Sequence, residues 1–308
     1  MKTEVDLILG AWGQDGLMMQ KVLGRRLSNQ MVLVVKGGSR PRERNRFYKK
    51  VYYGDVSNSD FLIKVLREVQ PNRIFFFAGI SRDHDAIGFL THKQNYLTPA
   101  MTLLEWGASS SVKICIASSV LVFGLKPEGR ITVNSTLKPQ SYYSEVRAAL
   151  LEEVNTINPP NVLLPIFSNH ESVYRSTHHF FGRLLDSVSN KTIYRNDGSL
   201  SEQRDWGHAG EYMFYLSRLM DEGISGPVIF STAKTLTCAH IIWSFFKNCP
   251  KFYPDHHLLR KVEDVILNNR NMSQFVYDNS GLVNLIGHEP KYYGDSLVRC
   301  LIKDLKLV

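Results

Sequence analysis

The segment Val5-Asp6-Leu7-Ile8-Leu9-Gly10-Ala11-Trp12-Gly13-Gln14-Asp15-Gly16 constrains this chain more than any other. An apolar run followed by glycines at every third position reads as a buried strand, a tight turn and the start of a helix over Leu17 to Arg25. Each glycine has a physical task. Gly10 permits the turn, Gly13 lets the backbone approach a pyrophosphate, and Gly16 lets the helix pack close to the strand. The first N–H groups of the helix then face the anion. The segment therefore predicts a phosphate cradle, with Gln14 and Asp15 in its wall.

Strand and helix signals alternate beyond it, as a parallel sheet requires. Strands are expected at Met31 to Val35, Val51 to Tyr53, Arg73 to Phe77, Lys113 to Ala117 and Val162 to Pro165. Helices are expected from a cap within Ser57 to Ser59 to about Val69, from about His92 to Ala108 and from Tyr142 to about Val154. With the first strand this makes six, and the fold class is α/β with a doubly wound parallel (Rossmann) sheet. The chain is expected to divide into a dinucleotide-binding domain over 1–165 and a smaller α/β substrate domain over 166–308, interleaved with the first. A chain of 308 residues, 44% of them hydrophobic, can bury cores of that size. Ala78-Gly79, after the fourth strand, are small enough for a cofactor to pass.

The formal net charge is +8, and its distribution matters more than its total. Lys36, Arg40, Arg42, Arg44, Arg46, Lys49 and Lys50 cluster directly after the second expected strand. In a dinucleotide fold that is where the 2′ position of the adenosine ribose lies. An acidic residue there would bind a free hydroxyl; Lys36, Ser39 and Arg40 favour a 2′-phosphate instead, so NADP is expected over NAD. No recognition-helix or stacking-aromatic pattern accompanies the charges, which argues against nucleic acid as a partner. No apolar run approaches the ~18 residues of a membrane span and none resembles a signal peptide, so a cytoplasmic protein without a membrane partner is expected. Cys115, Cys238, Cys249 and Cys300 are scattered and read as reduced, mostly buried thiols. The adjacent pairs His178-His179 and His256-His257 diverge on any regular element, so no metal site is expected. Trp243, Phe245, Phe246, Phe252 and Tyr253 are expected to pack the second core.

A second constellation follows the fifth strand. Ser118-Ser119 stands at its carboxyl end, and Tyr143 and Arg147, four residues apart, share one face of the following helix. A fixed cation there can lower a phenol's pKa from its usual ~10 and suit it to acid–base work, while Ser119 steadies the same substrate oxygen.

Together these motifs resemble the extended short-chain dehydrogenase/reductases, and most closely the GDP-mannose 4,6-dehydratase family. Gly10-Ala11-Trp12-Gly13-Gln14-Asp15-Gly16 resembles that family's Gly-x-x-Gly-Gln-Asp-Gly opening, and Tyr53-Gly54-Asp55 with Glu68-Val69-Gln70-Pro71 resembles its next segment. Asn169-His170-Glu171-Ser172 and Arg204-Asp205-Trp206-Gly207-His208-Ala209 are more specific to it. The resemblance implies a nucleotide-sugar substrate, with Asn169, Arg175, Arg183 and Arg204 around the sugar nucleotide and Asp55-Val56 beside the adenine. It implies an active-site role for Asn95. It also implies a homodimer or homotetramer, because the basic segment resembles a loop through which such subunits pair.

Two departures bear on the chemistry. The family's segment Ala-Ser-Thr-Ser-Glu-Leu-Tyr-Gly is here Ala117-Ser118-Ser119-Val120-Leu121-Val122-Phe123-Gly124. Ser119 keeps a hydroxyl, but Leu121 replaces the glutamate expected to move protons as water leaves across C5 and C6. Arg147 replaces a lysine, which keeps the charge and widens its shape. The sequence thus predicts an NADP-dependent enzyme on a nucleotide-linked hexose. Dehydration of a GDP-mannose type is the nearest match, with 4-keto reduction or epimerisation, or a catalytically impaired homologue with a binding role, as the alternatives.

Overall fold

The computed structural model describes residues 4–25, 30–38, 48–80, 88–196, 198–268 and 275–306. Ser39, Arg40, Arg42, Arg44 and Arg46 lie outside them. By its internal contacts the chain divides into two units. The first comprises Met1–Pro127, Val133–Phe167 and Met213–Phe230; the second comprises Glu128–Thr132, Ser168–Tyr212 and Ser231–Val308.

The first unit is built on a parallel sheet of β1 (Val5–Leu9), β2 (Gln30–Val35), β3 (Tyr48–Tyr53), β4 (Arg73–Phe76), β5 (Lys113–Ile116), β6 (Val162–Phe167) and β7 (Gly226–Phe230). Their order is β7-β6-β5-β4-β1-β2-β3, with the two-residue strand Ser118–Ser119 also paired to β6. Helices cover both faces, so the inner strands are continuous apolar runs: Leu7, Ile8, Leu9, Ile74, Phe75 and Phe76 are fully buried. The order reverses between β1 and β4, and a crevice forms at the carboxyl ends of strands at such a switch point. β7 corrects the expected count of six strands. Its opening Gly226-Pro227 reads as a turn, and only Val228, Ile229 and Phe230 carry the buried apolar signal.

One charged pair is sealed inside this sheet. Asp6 of β1 and Arg73 of β4 are register neighbours, 0% and 2% exposed, and the guanidinium donates to both carboxylate oxygens at 2.6 and 2.8 Å. Asp221 takes a third guanidinium bond. Such a pair is costly to break from one side, so it locks the β1–β4 register on which the switch point depends.

In the second unit Asn169–Glu171 runs parallel to Gln203–His208, whose other edge pairs antiparallel with Thr235–Thr237. The core gathers Phe181, Leu184, Trp206, Ile241, Phe245, Leu297 and Leu301 from helices Phe180–Asn190, Cys238–Asn248 and Gly294–Leu305 and from the sheet. Phe245 and Phe252 are buried there as expected, whereas Phe246 and Tyr253 are exposed, which corrects that part of the reading. Among the described residues no helix is long and apolar enough to cross a membrane.

Candidate active site

β1 ends at Leu9 and the chain turns at Gly10 with φ of +82°. A Cβ on Gly10 would lie 2.6 Å from the nitrogen of Ala78, within the backbone leaving β4. The close passage at the switch point therefore admits only glycine. Helix Gln14–Leu23 begins one turn later with Gly13 as its cap and no side chain closing it. Gly16 packs against the turn itself: a Cβ there would meet the Gly10 oxygen and the Ala11 Cα at 2.6 Å.

A cleft of about 540 Å³ opens at the ends of these strands, lined by Gly10, Gly13, Lys36, Asp55, Val56, Ala78 and Gly79, and also by Trp12 and Asn95. Its volume lies in the range of small-molecule sites, and its glycine-walled backbone leaves the close approach a pyrophosphate needs. The residues present fit a nicotinamide dinucleotide. Gln14, Asp15 and Gly16 form the helix start beside the cleft, with Gln14 Nε2 donating to Asp15 Oδ1 at 3.3 Å. Lys36 Nζ lies 3.3 Å from Asp55 Oδ2. Burial works against charge on Asp55, but the Ser57 N–H and hydroxyl and the Lys36 ammonium outweigh it and hold its pKa below the usual carboxylate value.

Ser119 ends the short strand beyond β5 and caps the 3-10 turn Val120–Phe123, its Oγ accepting the Leu121 N–H at 3.3 Å. Helix Tyr142–Ile157 packs against that strand and starts from a Ser141–Ser144 capping box, which places Tyr143 in its first turn. Arg147 is buried one turn on, its guanidinium 3.5 Å from the centre of the Tyr143 ring and 4.1 Å from that of Tyr96. Its Nη1 donates to the Tyr143 carbonyl at 3.0 Å. Arg147 is thus clamped between two aromatic faces. Tyr96, absent from the sequence reading, is fully buried; that burial pushes its phenol well above the ordinary value despite Arg147, and Oη donates to the Ala117 carbonyl at 2.8 Å.

Asn95 precedes Tyr96 in a wide helical turn, Lys93–Leu97, where the Thr98 N–H reaches back five residues to Lys93. Pro99 has no N–H to offer the Asn95 carbonyl, and the turn widens there. The Asn95 amide donates to Thr91 O at 2.8 Å.

The second unit holds the four residues expected around a sugar nucleotide. Asn169 lies in strand Asn169–Glu171, and Arg175 pairs with the buried Glu171 at 3.2 Å. Arg183 lies on helix Phe180–Asn190, and Arg204 lies on strand Gln203–His208 and pairs with Glu202. Burial, with the Glu202 carboxylate, pushes the Cys238 thiol up to about 12, while the Arg204 and Arg183 guanidiniums draw it down. Asp205 anchors the neighbouring loop: its carboxylate accepts from Ser168 Oγ (2.9 Å), from the Thr232 N–H and hydroxyl (3.0 and 3.1 Å) and from the Lys234 N–H (3.2 Å).

His208, Cys300 and Asp304 bring potential metal ligands within 4.8 Å of one another, a grouping their spacing in the sequence did not reveal. The Glu211 N–H donates to His208 Nδ1 at 3.2 Å, so Nε2 carries the ring proton and faces Asp304 as a donor rather than as a ligand.

Residues 7–299 match the family model described as GDP-mannose 4,6 dehydratase. The GDP-mannose 4,6 dehydratase of Drosophila melanogaster is 22% identical over 273 residues, covering 80% of this chain and 68% of the relative. The human GDP-mannose 4,6 dehydratase is 27% identical over 239 residues, covering 68% of this chain and 62% of the relative. The structure is similar to that of dTDP-glucose 4,6-dehydratase from Bacillus anthracis in complex with NAD. The TM-score is 0.78 at 17% identity, with 99% of this chain and 97% of the other covered.

Proposed function

The chain belongs to the GDP-mannose 4,6-dehydratase family, and from that premise we propose that it binds NADP and converts a nucleotide-linked hexose, a GDP-hexose by preference, by hydride transfer at C4. A nicotinamide dinucleotide supplies the hydride acceptor and donor. Tyr143 Oη takes the proton from the C4 hydroxyl as the ketone forms and returns it on reduction, and Ser119 Oγ hydrogen-bonds the same oxygen. Arg147 holds a permanent positive charge against the Tyr143 ring and, unlike lysine, never gives up a proton. Asn169, Arg175, Arg183 and Arg204 bind the nucleotide portion, with the guanidiniums on its phosphates.

The observation that carries this reading is the pairing of a hydroxyl, a phenol and a fixed cation, Ser119, Tyr143 and the lysine-replacing Arg147, with Leu121 at the glutamate position. Oxidation at C4 needs only those three groups. Elimination of water across C5 and C6 needs a further acid–base group, worth about 10²- to 10⁴-fold in rate, and leucine supplies none. The same residue favours 4-keto reduction or epimerisation over dehydration. NADP is preferred because Lys36, in the wall of the cleft, stands where an acidic residue would bind a free ribose hydroxyl. A homodimer or homotetramer goes with this reading.

The test is incubation with GDP-mannose and NADP, with products followed by mass spectrometry. The wild type is expected to show little or no loss of water, and Leu121→Glu to raise it by about 10²-fold or more. Full dehydration by the wild type would assign the elimination to another residue. Absence of any turnover, with sugar nucleotide bound, would favour the binding homologue.

A further inference from the structure

Trp12 sits between the first two glycines of the cradle, and neither the fold nor the proposed chemistry uses it. It is half-buried in the loop after β1 and lines the 540 Å³ cleft. Its ring meets that of Tyr53, the last residue of β3, at 5.7 Å and 70°. Strands β1, β2 and β3 are adjacent in that order, so an indole rooted after β1 and touching the end of β3 spans the carboxyl end of β2. Val34, Val35 and Lys36 line the cleft directly there.

A tryptophan serving only the core would be enclosed by it. Trp12 instead forms an aromatic wall whose neighbours are the phosphate turn, Tyr53 and the cleft itself, and Tyr53 is 59% exposed. In a doubly wound sheet the adenosine ribose lies at the end of β2, which places the purine within reach of this wall and of the Asp55 carboxylate. Edge-on contact with Tyr53 restrains the indole before any ligand arrives.

We propose that Trp12 is a binding residue for the purine of the adenosine half of the dinucleotide, stacking on its π-face. The proposal rests on the dinucleotide reading of the cleft. Alanine substitution of a base-stacking aromatic ordinarily costs about 5- to 150-fold in affinity.

The full chain is titrated with ADP, with nicotinamide mononucleotide and with NADP, by calorimetry and by tryptophan emission. ADP is expected to quench the wild-type emission. Trp12→Phe is expected to remove that quenching while keeping calorimetric affinity within a few-fold, because phenylalanine still stacks. Trp12→Ala is expected to weaken ADP and NADP by about 5- to 150-fold and to leave the mononucleotide unchanged. Equal ADP affinity of wild type and Trp12→Ala, or quenching that survives in Trp12→Phe, overturns the proposal alone. A wild type that binds neither ADP nor dinucleotide overturns the reading of the cleft and the proposal with it. Trp12→Phe keeps an aromatic ring of similar shape, so the emission test holds even if Trp12→Ala fails to fold.

Discussion

In the proposed reaction Leu121 and Tyr143 differ in the one property that separates hydride transfer from elimination of water, since a phenol exchanges a proton and an isobutyl group does not. Tyr143→Phe removes that proton and leaves the ring on which the Arg147 guanidinium rests, 3.5 Å from its centre. Hydride transfer, followed by NADPH absorbance, is expected to fall by about 10²-fold or more. Nucleotide-sugar affinity by calorimetry is expected to stay within about twofold, because the arginines assigned to the phosphates belong to other elements. Equal turnover by Tyr143→Phe would remove Tyr143 from the chemistry. Leu121 and Arg147 were legible in the sequence because each is a substitution inside a recognisable motif. Tyr96 was not: its place against Arg147 depends on a wide helical turn that ordinary i, i+4 spacing does not encode.

Strands that are unbroken apolar runs are legible close to their observed limits, as are β4 and β5 behind their leading Arg73 and Lys113, whereas the lysine-bearing edge strand β3 is not. β1, β2 and β6 announce themselves because both faces of a covered parallel sheet are dry. β3 begins at Tyr48, three residues before the expected Val51, because Lys49 and Lys50 read as part of a basic loop; charge is what an edge strand carries to discourage pairing with another chain. The Asp6–Arg73 bond was invisible for a related reason, since its two residues are neighbours only once β1 and β4 are paired. The cradle shows the opposite case, a turn and a helix whose glycines state their geometry. Gly16→Ala tests it. In an ordinary helix that change stabilises by about 1 kcal/mol, but here the new methyl would lie 2.6 Å from backbone atoms of Gly10 and Ala11 that have no rotamer to escape into. Destabilisation by about 1–3 kcal/mol is expected in urea unfolding, together with weaker ADP binding. A gain in stability would mean that the helix can shift away from the turn.

At the scale of the whole chain, family membership was legible because its motifs are distributed from Gly10 to Ala209, while the buried contacts that set how stability responds to pH were not. Asp205 is the clearest of these. The motif Arg204-Asp205-Trp206-Gly207 names it, but only the folded second unit shows it 1% exposed and surrounded by donors from Ser168, Thr232 and Lys234. Burial is the larger influence and opposes these hydrogen bonds, so the carboxyl is pushed up to about 6. Its unfolded value is about 3.9, so between those limits the folded chain holds the proton more tightly than the unfolded chain does. The contribution of this group to stability is therefore complete below about pH 4 and falls as pH rises through about 6. The difference amounts to about 3 kcal/mol at ~1.4 kcal/mol per pH unit, and the curve is flat beyond. Urea unfolding of wild type and Asp205→Asn from pH 4 to pH 8 isolates it, because other titrating groups are common to both. The wild-type advantage over the variant should shrink between about pH 4 and pH 6 and then stay constant, whatever fixed offset the altered hydrogen bonds introduce. An advantage that grows over the same interval would mean that the four donors outweigh burial and that Asp205 is ionised well below pH 4.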